Sequence, residues 1–280
     1  MVGIHCVTVT GEEKNFVHLN SQTDLIAKWQ QRRMRFVVLK VSGEWLGKDD
    51  NYHKVALMIL ALLMLGVQVA IVVGGGSLCR GVEFEKNGYS KEDADRCGMK
   101  ATEFIGMRLR LELLKLGSKA VVLSAVPTSG VEERYTPGLC KQYMEQGVVP
   151  IMVGGIDVPY TNTDVKAALV AAGIGATLLM AKSNTDYLYN MDPRVNRGSP
   201  LLEAYEQTTY DVIIRERLDA MPVFAADILE QARVVTFFFN ADEPDVLKKL
   251  VEGRRYGTII TAKQMMDVDF KTELGLFNKN

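Results

Sequence analysis

Three consecutive glycines, Gly74-Gly75-Gly76, stand directly after the apolar run Val67 to Val73, and Arg80 follows shortly after them. Bare backbone lets an anion approach main-chain N–H groups closely, and an arginine supplies a fixed planar cation, so the stretch suits a phosphate. A tight strand-to-helix turn with a surface arginine has the same composition, and the stretch alone does not choose between the two. Two further apolar runs end in the same way. Arg35 to Val41 runs into Ser42-Gly43-Glu44 with Lys40 just before the turn, and Val148 to Val153 runs into Gly154-Gly155. With the carboxylates Asp95, Asp164, Asp186 and Asp192, such an edge offers cations for phosphates and oxygens for Mg²⁺ or ribose hydroxyls. Phosphoryl transfer fits this edge, because it rests on cation clamps and positioning more than on covalent chemistry. An acceptor phosphate that is largely ionised near neutral pH needs no general base. Neither a P-loop pattern nor a Gly-x-Gly-x-x-Gly fingerprint occurs, and no Ser/His/Asp or Cys/His arrangement competes.

The elements that must position these residues alternate between strand and helix. Strands are expected at Arg35 to Val41, Val67 to Val73, Ala120 to Leu123, Val148 to Val153, Ala176 to Met180, Val234 to Phe239 and Thr258 to Thr261, with a short one at Glu203 to Gln207. Helices are expected at Val55 to Leu65, at Ala94 to Lys115 behind a Ser90/Asp93 capping box, and near Leu139 to Gln146. A further one runs from Val165 to Ala172, capped by Thr163-Asp164 and ended by Gly173. Others follow at Thr209 to Leu218, from Pro222 as N1 proline to Gln231, and at Pro244 to Val251. Such alternation implies an α/β fold with a mostly parallel central sheet and helices on both faces, and it places ligands at the carboxyl ends of the strands. Ser183 to Ser199 is too irregular for an element and too long for a plain connection, which marks it as functional. Residues 1–33 read as an N-terminal extension, 34–261 as the folded domain and 262–280 as a peripheral tail.

Composition narrows the partners. Lys plus Arg number 33 against 34 Asp plus Glu, a formal charge of -1, so no nucleic-acid or anionic-membrane surface is expected and the partner should be small. Cys6, Cys79, Cys97 and Cys140 are scattered, which argues against a zinc site and a disulfide framework and favours a reducing cytoplasm. His5, His18 and His53 do not cluster, so any metal should be held by oxygen, and no ligand is assigned from sequence. Val55 to Val73 is long enough to span a bilayer, but Gly66 divides a Leu/Met/Ala-rich half from a β-branched half, which indicates helix plus strand. The first half is apolar on every helical face, and a subunit interface is its natural cover.

Lys40-Val41-Ser42-Gly43-Glu44, Val72-Val73-Gly74-Gly75-Gly76-Ser77-Leu78-Cys79-Arg80-Gly81, Ser124-Ala125-Val126-Pro127 and Gly257-Thr258-Ile259-Ile260-Thr261 resemble, in order and spacing, the uridylate kinases of the bacterial and archaeal type. These have the amino acid kinase fold, and the resemblance runs from about Met34 to Thr261. It implies ATP-dependent phosphorylation of UMP with Mg²⁺, in an assembly that is usually a hexamer built from dimers. It also implies that Lys40 neutralises the transferring phosphoryl group and that Asp164 orders this lysine and the metal. Gly43, Gly75, Gly76, Arg80, Asp95 and Thr163 would hold UMP, with Asp95 on the ribose. Asn184, Asp186, Tyr189 and Asp192 would hold ATP, with the aromatic ring against adenine. The chain departs from the family at Ile156 and Val158, where a base-reading threonine or asparagine is common. It departs again at Asn162, at Tyr187 in place of a glycine, and at Pro222. Two other readings therefore stand beside the first: a kinase of the same fold with a different small acceptor, and a catalytically weak nucleotide-binding regulatory assembly.

Overall fold

Strands rich in β-branched residues with no polar face belong in the middle of a sheet covered on both sides. The structure, a computed structural model, describes residues 6–8, 36–47, 49–64, 66–76, 78–79, 84, 86–131, 133–183, 185–193, 195–196, 198–243, 246 and 256–262. Its strands are β1 (Cys6–Thr8), β2 (Phe36–Val41), β3 (Gln68–Val73), β4 (Lys119–Ser124), β5 (Val148–Val153), β6 (Thr177–Lys182), β7 (Leu188–Tyr189), β8 (Glu203–Tyr205), β9 (Gln207–Thr209), β10 (Thr236–Asn240) and β11 (Thr258–Thr261). Its helices are α1 (Gly43–Leu46), α2 (Asp49–Met64), α3 (Lys91–Lys115), α4 (Pro137–Glu145), α5 (Thr163–Ile174), α6 (Tyr210–Glu216) and α7 (Val223–Gln231).

Eight strands form one sheet in the order β4-β5-β3-β2-β6-β10-β11-β9. All neighbours are parallel except β10 and β11. Period-two alternation sorts each strand onto two faces. Val37, Leu39, Val69 and Ile71 pack with Val55, Ile59 and Leu62 of α2 and with Ile105 and Leu109 of α3. Val38, Ala70 and Val72 pack with α4, α5 and α7 through Met144, Val165, Ala168 and Leu229. From β2 the chain winds toward β3, β5 and β4, and after β5 it crosses to β6 on the other side of β2. This is a topological switch point, the place where open α/β sheets bind ligands.

Several sequence expectations are corrected. Helix α2 begins at Asp49 rather than Val55, and it buries one face through Tyr52, Val55, Ala56, Ile59 and Leu62 while Leu57 and Met64 stay exposed. Helix α5 is capped by Asn162, whose side chain accepts from the N–H groups of Asp164 and Val165, and not by Thr163-Asp164. It ends at Gly175 in the left-handed conformation, two residues beyond the expected stop. Gly173 is needed for space instead, since a Cβ there would lie 3.1 Å from Pro137. The expected strand Glu203 to Gln207 is two strands in different sheets, β8 beside β7 and β9 beside β11. The polar segment after Ser183 contains the short strand β7. From the expected N-terminal extension, Cys6–Thr8 pairs antiparallel with β8. The rest of that extension, the tail after Ala262 and most of the expected helix from Pro244 to Val251 lie outside the described residues.

Gly106 shows how closely α3 sits on the sheet, because a Cβ added there would lie 2.3 Å from Val153 Cγ1 and 3.4 Å from Ile151 Cγ2. Glycine-to-alanine changes inside helices ordinarily stabilise by about 1 kcal/mol. Here overpacking dominates, and Gly106→Ala is expected to lower the unfolding free energy by about 1–3 kcal/mol, read as a lower urea midpoint at unchanged slope.

Candidate active site

Lys40 lies at the end of β2, one residue before the chain turns, and the β2–β6 register pairs it with Met180. The same register puts Lys182, the last residue of β6, beside that turn. Helix α5 crosses from β5 to β6 and starts with Thr163-Asp164 above the strand ends. The result is a charge cluster in which Asp164 Oδ1 lies 2.5 Å from Lys40 Nζ and Oδ2 lies 3.2 Å from Lys182 Nζ. Lys40 and Asp164 are buried, and Lys182 is half-buried.

Burial alone would raise the Asp164 carboxyl, but the ammonium of Lys40, and then that of Lys182, bring it down to about 2. Burial pulls the Lys40 ammonium below the ordinary lysine range, with Asp164 opposing the shift and Lys182 adding to it. A carboxylate held so low stays ionised at neutral pH, and at 2.5 Å it favours the ammonium form of Lys40 against the cost of burial. Asp164 Oδ1 nevertheless accepts no well-aligned hydrogen bond. Beside its ion pair with Lys40 it is a hard, buried oxygen, the kind of ligand Mg²⁺ takes alongside phosphate oxygens and water. Among the described residues no group of three His, Cys, Asp or Glu could hold a metal without such help.

Two cavities lie at these strand ends, one lined by Lys40 and Lys182 themselves and the other reaching Thr163, the residue before Asp164. One, of about 160 Å³, is lined by Gly75, Gly76, Asp95, Gly155 and Thr163. Its walls close because the chain is bare there: a Cβ on Gly43 would lie 2.2 Å from the Gly74 carbonyl oxygen, and one on Gly75 would lie 2.5 Å from that of Gly98. Gly154 and Gly155 are left-handed, and the Gly154 N–H donates to Thr102 Oγ1 at 2.8 Å. Asp95 faces this cavity but is already engaged, receiving the Tyr160 N–H at 2.7 Å and pairing with Lys91 at 3.1 Å. Ile156 packs into the core and Val158 is exposed, and neither lines the cavity.

The other cavity, of about 490 Å³, is lined by Lys40, Lys182, Tyr187, Tyr189, Asp192 and Phe238, among others. Tyr187 needs no left-handed backbone, and its ring centroid lies 6.4 Å from that of Tyr256. Asp186 does not line this cavity. It accepts from Asn240 Nδ2 at 2.9 Å and from the Tyr256 hydroxyl at 3.0 Å, which ties the loop before β7 to the ends of β10 and β11. Arg80 and Asn184 lie outside the described residues. Sequence reasoning missed Lys182 and the cavity-wall residue Arg217. The available signal for Lys182 was its likeness to Lys40, as a lysine closing an apolar strand just before a serine.

The family model described as the amino acid kinase family matches residues 35–238. A uridylate kinase of Protochlamydia amoebophila is 34% identical over 225 residues, covering 78% of this chain and 86% of that protein. A uridylate kinase of Bartonella bacilliformis is 33% identical over 236 residues, covering 82% and 98%. Among solved structures, a UMP kinase from Bacillus anthracis matches with a TM-score of 0.76 at 26% identity, over 82% of this chain and 96% of its own. One from Ureaplasma parvum gives 0.74 at 28%, over 82% and 99%.

Asp164 titrates lower in the folded chain than in the unfolded one, about 2 against 3.8. The unfolded state therefore binds more protons in this range, and the stability Asp164 contributes is present above about pH 4 and lost as pH falls through about 2. Asp164→Asn should remove that part of the acid dependence. At neutral pH it should cost about 3–5 kcal/mol, because two ammonium groups lose their shared counter-ion. Urea midpoints measured from pH 7 down to pH 2 check both; an unchanged neutral midpoint would contradict the pairing.

Proposed function

The chain belongs to the amino acid kinase family, and from that premise and the geometry of the cleft we propose that it transfers the γ-phosphoryl group of ATP to UMP, forming ADP and UDP for pyrimidine nucleotide synthesis. The observation that carries this reading is the Lys40–Asp164–Lys182 cluster, whose lysines line the 490 Å³ cavity and whose aspartate directly follows Thr163 of the 160 Å³ cavity. Two ammonium groups on one carboxylate leave net positive charge where water is largely excluded, and such a site favours anions.

UMP occupies the smaller cavity, with its phosphate on the amides beyond Gly74 and its ribose toward Asp95. Arg80 and Gly43 complete the phosphate side, and Thr163 closes the wall. ATP occupies the larger cavity with adenine near Tyr189 and Asp192, and Asn184 serves the same side. Asp186 acts as the anchor of the loop that presents these residues, as its bonds to Asn240 and Tyr256 support. In the transfer a UMP phosphate oxygen attacks the γ-phosphorus while the bond from that phosphorus to the β,γ-bridging oxygen breaks. Lys40 and Lys182 take up the charge that develops on the oxygens around it. Mg²⁺, held by Asp164 and phosphate oxygens, would neutralise further charge on the polyphosphate.

A homo-oligomer is part of the same proposal, a hexamer built from dimers. On α3 the side chains of Phe104, Met107, Leu111 and Leu114 form an apolar stripe facing solvent, with Phe104 54% and Leu111 63% exposed. Leu57 and Met64 of the adjacent α2 are exposed as well. Such a stripe suits a self-complementary contact between copies of the chain. No helix among the described residues is long and apolar enough to cross a membrane. Cys97 and Cys140 form no disulfide, which supports a cytoplasmic setting.

ADP release coupled to NADH oxidation, measured with UMP, CMP, AMP and GMP as acceptors, tests the activity. Turnover is expected with UMP. Lys40→Ala should lower kcat by about 10²–10³-fold; full activity in that variant, or no turnover with UMP, would overturn the reading. For the assembly, Leu111→Glu is expected to shift sedimentation toward the mass of one protomer while the far-ultraviolet dichroism stays unchanged.

A further inference from the structure

Three cations of the described residues line the larger cavity: Lys40, Lys182 and Arg217. The two lysines share Asp164. Arg217 has no carboxylate partner among the described residues, although Asp219 lines the same wall. The contrast lies within one helix turn, since Arg215 is bound to Asp211 at 3.2 Å and to Glu216 at 3.3 Å. A third and more open cavity, of about 760 Å³, adjoins the 490 Å³ one; Arg217, Asp219 and Lys182 line both, and Asp164 lines the third. Arg217 therefore stands on a wall shared by both spaces, together with Lys182 of the charge cluster.

Its backbone is also unusual. Arg217 ends α6 in the left-handed region, with φ 52° and ψ 44°, and its N–H donates to the Ile213 carbonyl. The chain places glycine at comparable left-handed helix ends, at Gly66, Gly117, Gly147 and Gly175. Arg233, after α7, is the other arginine in this conformation and lines none of the three cavities, so strain by itself assigns no role. What distinguishes Arg217 is a guanidinium that has no carboxylate partner among the described residues and that lines the same cavity as Lys40 and Lys182.

We propose that Arg217 binds the terminal phosphates of the nucleotide donor, its planar fork taking the polyphosphate oxygens that the paired lysines cannot neutralise. The assignment rests on the reading of the larger cavity as the ATP site. Glycine supplies a clean probe, because it removes the cation while suiting the left-handed backbone, so lost binding and lost folding are separable.

The experiment is calorimetric titration of the full-length wild-type protein, Arg217→Gly and Arg217→Lys with ATP, ADP and AMP in the presence of Mg²⁺, alongside thermal melts. Arg217→Gly is expected to weaken ATP by about tenfold or more, to weaken ADP less, and to leave AMP within about twofold. Its melting temperature should equal or exceed that of the wild type, and Arg217→Lys should recover part of the ATP affinity. Unchanged ATP affinity in Arg217→Gly, or an equal loss for ATP and AMP, would overturn the proposal. Because titration needs neither acceptor nor turnover, a wild-type protein that binds ATP but does not phosphorylate UMP would overturn the kinase reading alone. A wild-type protein that binds no adenine nucleotide would overturn both.

Discussion

The site depends on one carboxylate shared by two ammonium groups. Asp164 stands between Lys40 and Lys182 where burial opposes its charge, and the attraction of the two ammonium groups outweighs that cost. The cluster carries one positive charge more than it can cancel. An anionic ligand would supply the missing counter-charge, so the same arrangement that holds α5 against the ends of β2 and β6 also prepares the cleft for phosphate. Structure and affinity share one electrostatic cause.

Close backbone approach does for the acceptor side what the charge cluster does for the transfer point. Gly43 touches the Gly74 peptide, and Gly75 touches the end of the Gly98 peptide, so the loops after β2 and β3 and the first turns of α3 interlock with no side chain between them. Asp95 then reaches across from α3 to the Tyr160 N–H, holding the loop after β5 against that helix. On the donor side the corresponding brace is made by side chains: Asp186 is held by Asn240 and Tyr256, the Asp242 N–H donates to Asn240 Oδ1 at 2.9 Å, and Asp242 Oδ1 accepts from Trp45 Nε1 at 2.6 Å. This chain of bonds runs from the loop before β7 to α1, directly after the Lys40 turn. The walls of both cavities are thereby tied to the strand ends that carry the cations.

Local signals were legible where one short window contained the whole cause. The Ser90/Asp93 cap, the bounds of β5 and β11 and the glycine-ended strands follow from composition and periodicity alone. Helix α5 was misread at both ends because Asn162, Thr163 and Asp164 are all competent caps, and Gly173 and Gly175 are both competent stops. Which one acts is decided by packing: Gly173 faces Pro137, and Asp164 is needed by the lysines. The family resemblance assigns Asp186 to the ATP side, and the structure adds the partners that hold it. Its partners are 54 and 70 positions away, and no local pattern points to them.

The sequence by itself determined the strand ends that would carry glycine and cation, and it singled out Lys40 and Asp164, because each of these is written in a few adjacent residues. Tertiary structure decided which groups meet. Lys182 enters the cluster through the β2–β6 register, and Arg217 reaches the shared wall through the left-handed end of α6. The physical reason is range: hydrophobic periodicity and turn chemistry act over a few residues, whereas charges at strand ends interact across the sheet. Their neighbours are set by strand order, which no single window of sequence contains.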